Sequence, residues 1–259
     1  MSNFVHLHVH SEFSLLDGAN RIKDLPARAK ELGMDSIALT DHGVMFGVVD
    51  FYKECKKQGV KPIIGCEVYV APRTRFDKEP NIDNHYYHLI LLAKNETGYK
   101  NLTHLVSMGF TEGFYYKPRV DKEVLREYHE GIIATSACLA GEVQRYLSRG
   151  MYETARDVAL ELQDIFGKGN FFLELQDHGI AEQHYVNPQL MRMHNETGIE
   201  LVCTNDVHYT YADDVDAHDI LLCIQTGKKL SDENRMRYEG GQYYVKSEEE
   251  MKERFPYAL

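Results

Sequence analysis

Hydrophobic positions along this chain follow two patterns that take turns. Short, nearly continuous apolar runs alternate with longer stretches whose apolar residues recur every three or four positions. The first pattern predicts strands at 4–10, 36–41, 62–70, 88–93, 131–136, 170–176 and 199–205. The second predicts helices near 24–32, 47–58, 97–109, 121–129, 140–148, 151–166, 181–197 and 213–225. Pro188 falls inside the helix at 181–197, and a kink is expected there. A last helix opens at Ser247, with Glu248, Glu249 and Glu250 in its first turn. Residues 72–86 are polar and irregular. The strand at 4–10 departs from the rest, because apolar residues alternate there with imidazoles. Residues i and i+2 of a strand share a face. His6, His8 and His10 are therefore expected on one face, and Val5, Leu7 and Val9 on the other.

Strands that alternate with helices imply a parallel sheet. Seven such units with near-continuous apolar strands predict an α/β fold, a closed or nearly closed barrel of the (β/α)7 kind. An open doubly wound sheet is the alternative. No glycine-rich phosphate loop of either common type is present, which weighs against a nucleotide-binding reading. No linker or low-complexity segment divides residues 1–259, so one domain is expected.

In parallel α/β folds the site forms at the carboxyl ends of the strands. His8 and His10 end the first predicted strand, and Asp41-His42-Gly43 ends the second. Glu67 lies in the third, Ser136-Ala137-Cys138 ends the fifth, and the seventh runs into Asn205-Asp206-Val207-His208. Asp17 and Gly18 sit in the loop after the first strand. His88 is out of place in this scheme, since it opens the fourth strand. Each residue has a bland reading alone: a turn residue, a solvated charge, a core histidine, a small apolar cysteine. Together they point to metal. Histidine, carboxylate and one thiolate suit zinc, iron or manganese, and the set exceeds what one tetrahedral ion takes. Closely spaced ions serve phosphoester hydrolysis by activating water and stabilising the attacking and leaving oxygens.

Composition narrows the setting. Charged residues are 27% and hydrophobic residues 43%, as in an ordinary soluble globular protein. Forty Asp and Glu against 29 Lys and Arg give a net charge of −11, which argues against broad electrostatic binding of nucleic acid. The five cysteines, an odd and scattered set, suggest a reducing cytoplasm. No leader or membrane-spanning run is seen.

The motifs His8-Val9-His10, Asp41-His42-Gly43, Gly65-Cys66-Glu67 and Asn205-Asp206-Val207-His208 resemble the signatures of the PHP (polymerase and histidinol phosphatase) domain. Further segments narrow the resemblance: Phe13-Ser14-Leu15-Leu16-Asp17-Gly18, Lys61-Pro62-Ile63-Ile64-Gly65, Thr97-Gly98-Tyr99-Lys100-Asn101-Leu102 and Tyr244-Val245-Lys246. These are similar to the amino-terminal PHP domain of bacterial DNA polymerase III alpha subunits, over essentially the whole chain. The resemblance implies a distorted seven-stranded β/α barrel with up to three divalent ions (Zn, Mn or Fe) at the carboxyl ends of the strands. The ligands it implies are His8, His10, Asp17, His42, Glu67, His88, Cys138, Asp206 and His208. It groups His8, His10, Glu67 and Asp206 on one ion, Glu67, His88 and Cys138 on a second, and Asp17, His42 and His208 on a third. Asp17 and Cys138 are the polymerase-type residues at their positions. His6 falls outside the set and is read as a supporting or surface residue.

The implied activity is 3′-5′ exonuclease proofreading by a metal-activated hydroxide, with His8, His10, Glu67 and Asp206 as the catalytic core. The implied substrate is a DNA 3′ end. The implied partners are the remainder of the polymerase alpha subunit and the replisome, in the cytoplasm. Arg119 in Tyr115-Tyr116-Lys117-Pro118-Arg119 could steer a phosphate while the tyrosines stack on a base, or Lys117 and Arg119 could be solvated loop charges. Two alternatives stand beside the nuclease: a metal-stabilised scaffold of the polymerase without catalysis, and a small-molecule phosphatase of the histidinol phosphate type. The chain reads as a domain excised from a longer polymerase or as a stand-alone relative.

Overall fold

The computed structural model describes residues 2–257. Seven strands, β1 (Ser36–Leu39), β2 (Lys61–Val70), β3 (Tyr87–Ala93), β4 (Arg119–Val120), β5 (Ile132–Thr135), β6 (Phe171–Gln176) and β7 (Leu201–Thr204), form one curled sheet. Its order is β1-β2-β3-β5-β6-β7, with β4 paired to the end of β2. The helices are α1 (Asp24–Glu31), α2 (Val48–Gln58), α3 (Glu96–Thr111), α4 (Lys122–Glu127), α5 (Glu142–Ser148), α6 (Tyr152–Phe166), α7 (Ala181–Thr197), α8 (Val215–Thr226) and α9 (Glu248–Arg254). The caps are local chemistry. Asn95 accepts from the Gly98 amide at 2.9 Å, Asp121 accepts from Val124, and Ser247 and Glu250 form a reciprocal capping box. The curled sheet fits the barrel that the apolar pattern predicts, and its distortion is what the resemblance implies.

Two expectations are corrected. The sheet is not wholly parallel: β3 runs antiparallel to both β2 and β5. The segment at 71–86 contains no helix, so the chain turns back after β2 without the crossover that a parallel neighbour needs. The reversal also repairs the position of His88. The start of an antiparallel strand lies beside the carboxyl ends of its parallel neighbours.

The segment 4–10 is not a ladder strand. It runs extended between β1 and the stretch after β7 and closes the gap in the barrel with a few bonds. Ala38 and Thr40 amides donate to His6 and Val9 carbonyls at 2.9 and 2.8 Å. On the other side the His10 amide donates to Val207 O at 2.8 Å, and the Val207 amide to His8 O at 3.0 Å. The Val9 amide goes to the Thr40 hydroxyl at 2.8 Å, so a side chain takes one rung. A bend at His8 breaks the alternation. Leu7 packs inside the barrel with Ala38, Ile90 and Leu92, whereas Val9 packs outside with Ile37, Leu39 and Phe51. His6 leaves the row altogether: its Nε2 lies 2.9 Å from Lys246 O.

Most of the core lies between the sheet and the helices. Each fully buried Leu or Ile there contributes about 1.5–3 kcal/mol. Inside the barrel, strand periodicity sets what faces inward. His88, Ile90 and Leu92 share a face of β3, and the register puts Glu67 opposite Ile90 and Ile133 opposite Leu92. One end of the barrel is thus lined by Leu92, Ile133, Ile63 and Leu7, and the other by ionisable groups.

Candidate metal centre

The ionisable end is held by a buried carboxylate. Asp41 accepts from the Ser11 amide (2.6 Å), the Ser11 hydroxyl (2.8 Å) and the Ser14 hydroxyl (2.7 Å), and so fixes the loop after the first segment. Ser14 Oγ also lies 3.0 Å from His10 Nδ1 and accepts from the His42 amide at 3.1 Å. Gly18 lets the loop close, since a Cβ there would sit 2.1 Å from Ser11 O. Gly43 has φ +65°, and a Cβ there would meet the Tyr69 ring at 2.7 Å.

Around this frame the nine residues expected from sequence come together. His8 Nε2 lies 3.1 Å from His10 Nε2, 3.0 Å from Asp206 Oδ1 and 3.3 Å from Glu67 Oε1. His10 Nε2 lies 3.2 Å from Asp206 Oδ1 and 3.4 Å from Glu67 Oε2. Donors about 2.1 Å from one ion stand about 3.0 Å apart in octahedral and about 3.4 Å apart in tetrahedral coordination. His8, His10 and Asp206 have that spacing, and Glu67 turns one oxygen to each of the two imidazoles. Glu67 Oε1 also lies 2.9 Å from His88 Nδ1, with Cys138 Sγ at 3.9 Å from the same oxygen and 3.6 Å from the same nitrogen. Asp17 Oδ2 lies 2.8 Å from His42 Nε2 and 3.6 Å from His208 Nε2. Glu67 is the residue shared between clusters, because its two oxygens face different imidazoles.

The donor set fits bound cations on independent grounds. Asp17 Oδ1, His42 Nδ1, Glu67 Oε2 and Asp206 Oδ1 are buried without a hydrogen-bond partner. His42 Nδ1 and Glu67 Oε2 lie 2.5 Å apart yet are not aligned as a hydrogen bond. Asp17, Glu67 and Asp206 all sit below the ordinary carboxylate range: burial opposes their charge, and the crowded imidazoles outweigh it. The imidazoles are split in turn. His10 is pushed down to about 3 by burial and by His42 and His208. His42 is raised to about 10 against its burial, because Glu67 and Asp17 flank its two nitrogens. Burial, then Glu67, raises the Cys138 thiol. Three buried carboxylates held anionic need compensating positive charge, which divalent ions supply.

Two residues of the centre had no place in the sequence reading. Glu174 of β6 lies 2.7 Å from His8 Nδ1 and also engages the Thr135 and Thr204 hydroxyls and Gln176. Such a carboxylate fixes the ring and the tautomer, leaving Nε2 free to ligate. Its signal was present, a charge inside the apolar run 171–175, the same feature that made Glu67 conspicuous. Tyr238 places its hydroxyl 3.3 Å from Asp17 Oδ2 and 3.2 Å from His208 Nε2. Nothing in its local sequence marks it.

Arg119 is corrected on both of its readings. It is fully buried, and its guanidinium donates to the carbonyls of Gly113, Asp83, Arg75 and Asp77. It neither steers a ligand nor meets solvent; it ties the loop at 71–86 to the loop at 113–119. Lys117 is the cation set beside the site. Its Nζ lies 5.4 Å from the centroid of the Tyr69 ring, and that ring lies 6.2 and 5.4 Å from those of His42 and His88.

Known proteins resemble this chain in sequence and in fold. The model of the PHP domain family matches residues 6–178. The chain is 51% identical over 255 residues to the DNA polymerase III subunit alpha of Borreliella burgdorferi, covering 98% of this chain and 22% of that protein. It is 51% identical over 256 residues to the corresponding subunit of Treponema pallidum, with the same coverage. The chain thus spans about a fifth of the length of these relatives. Among solved structures, a protein of Bifidobacterium adolescentis described as a metal-dependent phosphoesterase superposes with a TM-score of 0.50 at 12% identity, over 98% of this chain and 96% of that one. That likeness shows the fold. No helix among the described residues is long and apolar enough to cross a membrane.

Proposed function

The chain belongs to the PHP domain family, and from that premise we propose that it is a metal-dependent phosphodiesterase that removes nucleotides from a DNA 3′ end. It would act as one domain, residues 1–259, of a cytoplasmic replicative polymerase. The remainder of the alpha subunit and the replisome would be its partners, as the identity to polymerase III alpha subunits suggests. The observation that carries the reading is the convergence of His8, His10, Glu67 and Asp206, in which each imidazole lies 3.0–3.4 Å from both carboxylates and 3.1 Å from the other imidazole, with further clusters around Glu67 and His42.

His8, His10, Glu67 and Asp206 would hold one ion, Glu67, His88 and Cys138 a second, and Asp17, His42 and His208 a third. Zinc, manganese and iron all suit this mixture, and the thiolate favours the softer of them. When bound, such ions supply Lewis acidity and hydroxide at neutral pH, and they counter the charge of a phosphodiester. The chain's own residues do the rest. Glu174 holds His8 with Nε2 facing inward. Asp41 and Ser14 fix His10 and the backbone of His42. Lys117, at the Tyr69 side, would take a non-bridging phosphate oxygen.

Access favours catalysis over a purely structural role. His8, His10 and Glu67 side chains are closed to solvent, but Asp206, His42 and His88 are 10%, 14% and 15% exposed. The centre is open on that side, as a hydrolytic site must be. The test is hydrolysis of a 5′-labelled oligonucleotide with added Mn²⁺ or Zn²⁺, beside Asp206→Ala and His8→Ala. Stepwise shortening from the 3′ end, absent in both variants, supports the proposal. Hydrolysis of a phosphomonoester but not of DNA would favour the small-molecule phosphatase. No hydrolysis of either, with variants that are only less stable, would favour the scaffold.

A further inference from the structure

Tyr238 belongs to the segment 228–241, which follows α8, and its ring packs against those of His208 and His218. Arg235 in this segment makes a two-pronged ion pair with Asp219 of α8, at 2.5 and 2.6 Å. That contact anchors the segment, and Tyr238 reaches inward beside it. Its hydroxyl meets two of the atoms assigned above to the third ion.

His208 Nδ1 lies 2.7 Å from Asp206 O, and a carbonyl can only accept, so that nitrogen carries a proton and Nε2 is the one that can turn a lone pair toward an ion. Asp17 Oδ2 can do the same. The Tyr238 hydroxyl lies 3.2 Å from one and 3.3 Å from the other. Tyr238 Oη, Asp17 Oδ2 and His208 Nε2 lie 3.2, 3.3 and 3.6 Å from one another, near the spacing of ligands around an ion. His42 Nε2, 2.8 Å from Asp17 Oδ2, adds a fourth donor.

We propose that Tyr238 is itself a ligand of the third ion, completing a site made of Asp17, His42, His208 and Tyr238. On binding, the phenol O–H bond breaks, the proton passes to solvent, and the phenolate oxygen bonds the divalent ion. Carboxylate and phenolate then balance the charge of the dication, and four protein donors close its coordination. The third ion becomes a structural one that ties the 228–241 segment to Asp17 and His208, and the first two positions are left for hydrolysis. This inference rests on the metal reading above and extends it by one residue.

The experiment is zinc titration of the metal-free protein and of Tyr238→Phe, which keeps the ring. Bound zinc is counted by elemental analysis after gel filtration, and phenolate formation is followed by near-ultraviolet difference absorbance. The expected result is three zinc ions in the wild type with the phenolate signal of one tyrosine. In Tyr238→Phe the phenolate signal is absent and the third ion binds on the order of 10–100-fold more weakly. Three ions without a phenolate signal, or an unchanged third affinity in Tyr238→Phe, would reduce Tyr238 to a hydrogen-bonding neighbour and overturn the inference. Wild type that binds no zinc would overturn it together with the metal reading.

Discussion

Glu174 Oε1 lies 2.7 Å from Nδ1 of His8, with both side chains fully buried. The pair converts a ring that could turn or change tautomer into one that presents Nε2 to the metal cluster. Replacing Glu174 with Ala should weaken metal binding at the first position by about 10–100-fold while leaving the other clusters populated. The thermal midpoint should fall too, because the Thr135 and Thr204 hydroxyls and Gln176 lose a shared buried partner. Competitive chelator titration with elemental analysis checks the first effect, and calorimetry the second.

Arg119 and Lys117 are two residues apart and should respond oppositely to substitution. Arg119→Met orphans four carbonyl oxygens in a buried place, at a cost on the order of 3 kcal/mol or more. It should lower the denaturation midpoint sharply. Lys117→Ala should leave that midpoint in place and raise KM for an oligonucleotide, with kcat nearly unchanged, since on the proposed function the ammonium would hold a substrate phosphate and touch no reacting atom. Urea denaturation and steady-state kinetics on both variants separate the two.

Cys138 decides which metals compete. The thiolate is the one soft donor among the nine residues. Cys138→Ser should cut Zn²⁺ affinity strongly and Mn²⁺ affinity little, and it should abolish the thiolate charge-transfer band of the cobalt-substituted protein. Burial and then Glu67 hold the thiol above its ordinary value, so metal must displace a proton there. Zinc uptake should therefore weaken as pH falls, and less steeply in the Ser variant. Isothermal titration at several pH values measures both slopes.

Lys246, whose ammonium also lies 3.4 Å from Asn205 Oδ1, gives a pH test at a residue that is not itself a ligand. It is fully buried, donates to Gln242 O, and lies 4.0 Å from the centroid of the Tyr244 ring. Burial, then the charge of Arg254, pushes its ammonium down to about 7. The unfolded chain titrates it at about 10.4. Between those values the unfolded state holds more protons than the folded one, so this group makes stability rise with pH. Lys246→Met removes that contribution. The midpoint gained on moving from about pH 7 to about pH 9.5 should be smaller in the variant than in the wild type, as thermal melts would show.

The barrel and most of its helices were legible because apolar periodicity reports which face of an element is buried. Glu67 was legible for the complementary reason, as a charge placed where burial is costly, and His42 and Asp206 because they end predicted strands. The direction of β3 was not, since His88-Leu-Ile-Leu-Leu-Ala93 reads the same whether its neighbour is parallel or antiparallel. Only the connection at 71–86 carried that information. The segment at 4–10 misled because strict alternation predicts a strand, whereas the bend at His8 turns His8 and Leu7 toward the same interior. Arg119 looked like a free cation because sequence does not show four carbonyls converging from two loops. Tyr238 lies far along the chain from the residues it meets, and contacts of that kind leave no local pattern.

The most direct test of the metal centre is anomalous diffraction from crystals grown with zinc and measured on both sides of its absorption edge. The account predicts three peaks: one among His8, His10, Glu67 and Asp206, one among Glu67, His88 and Cys138, and one beside Asp17, His42 and His208. A map with no peak in these clusters, from crystals in which zinc is bound elsewhere or not at all, would contradict it.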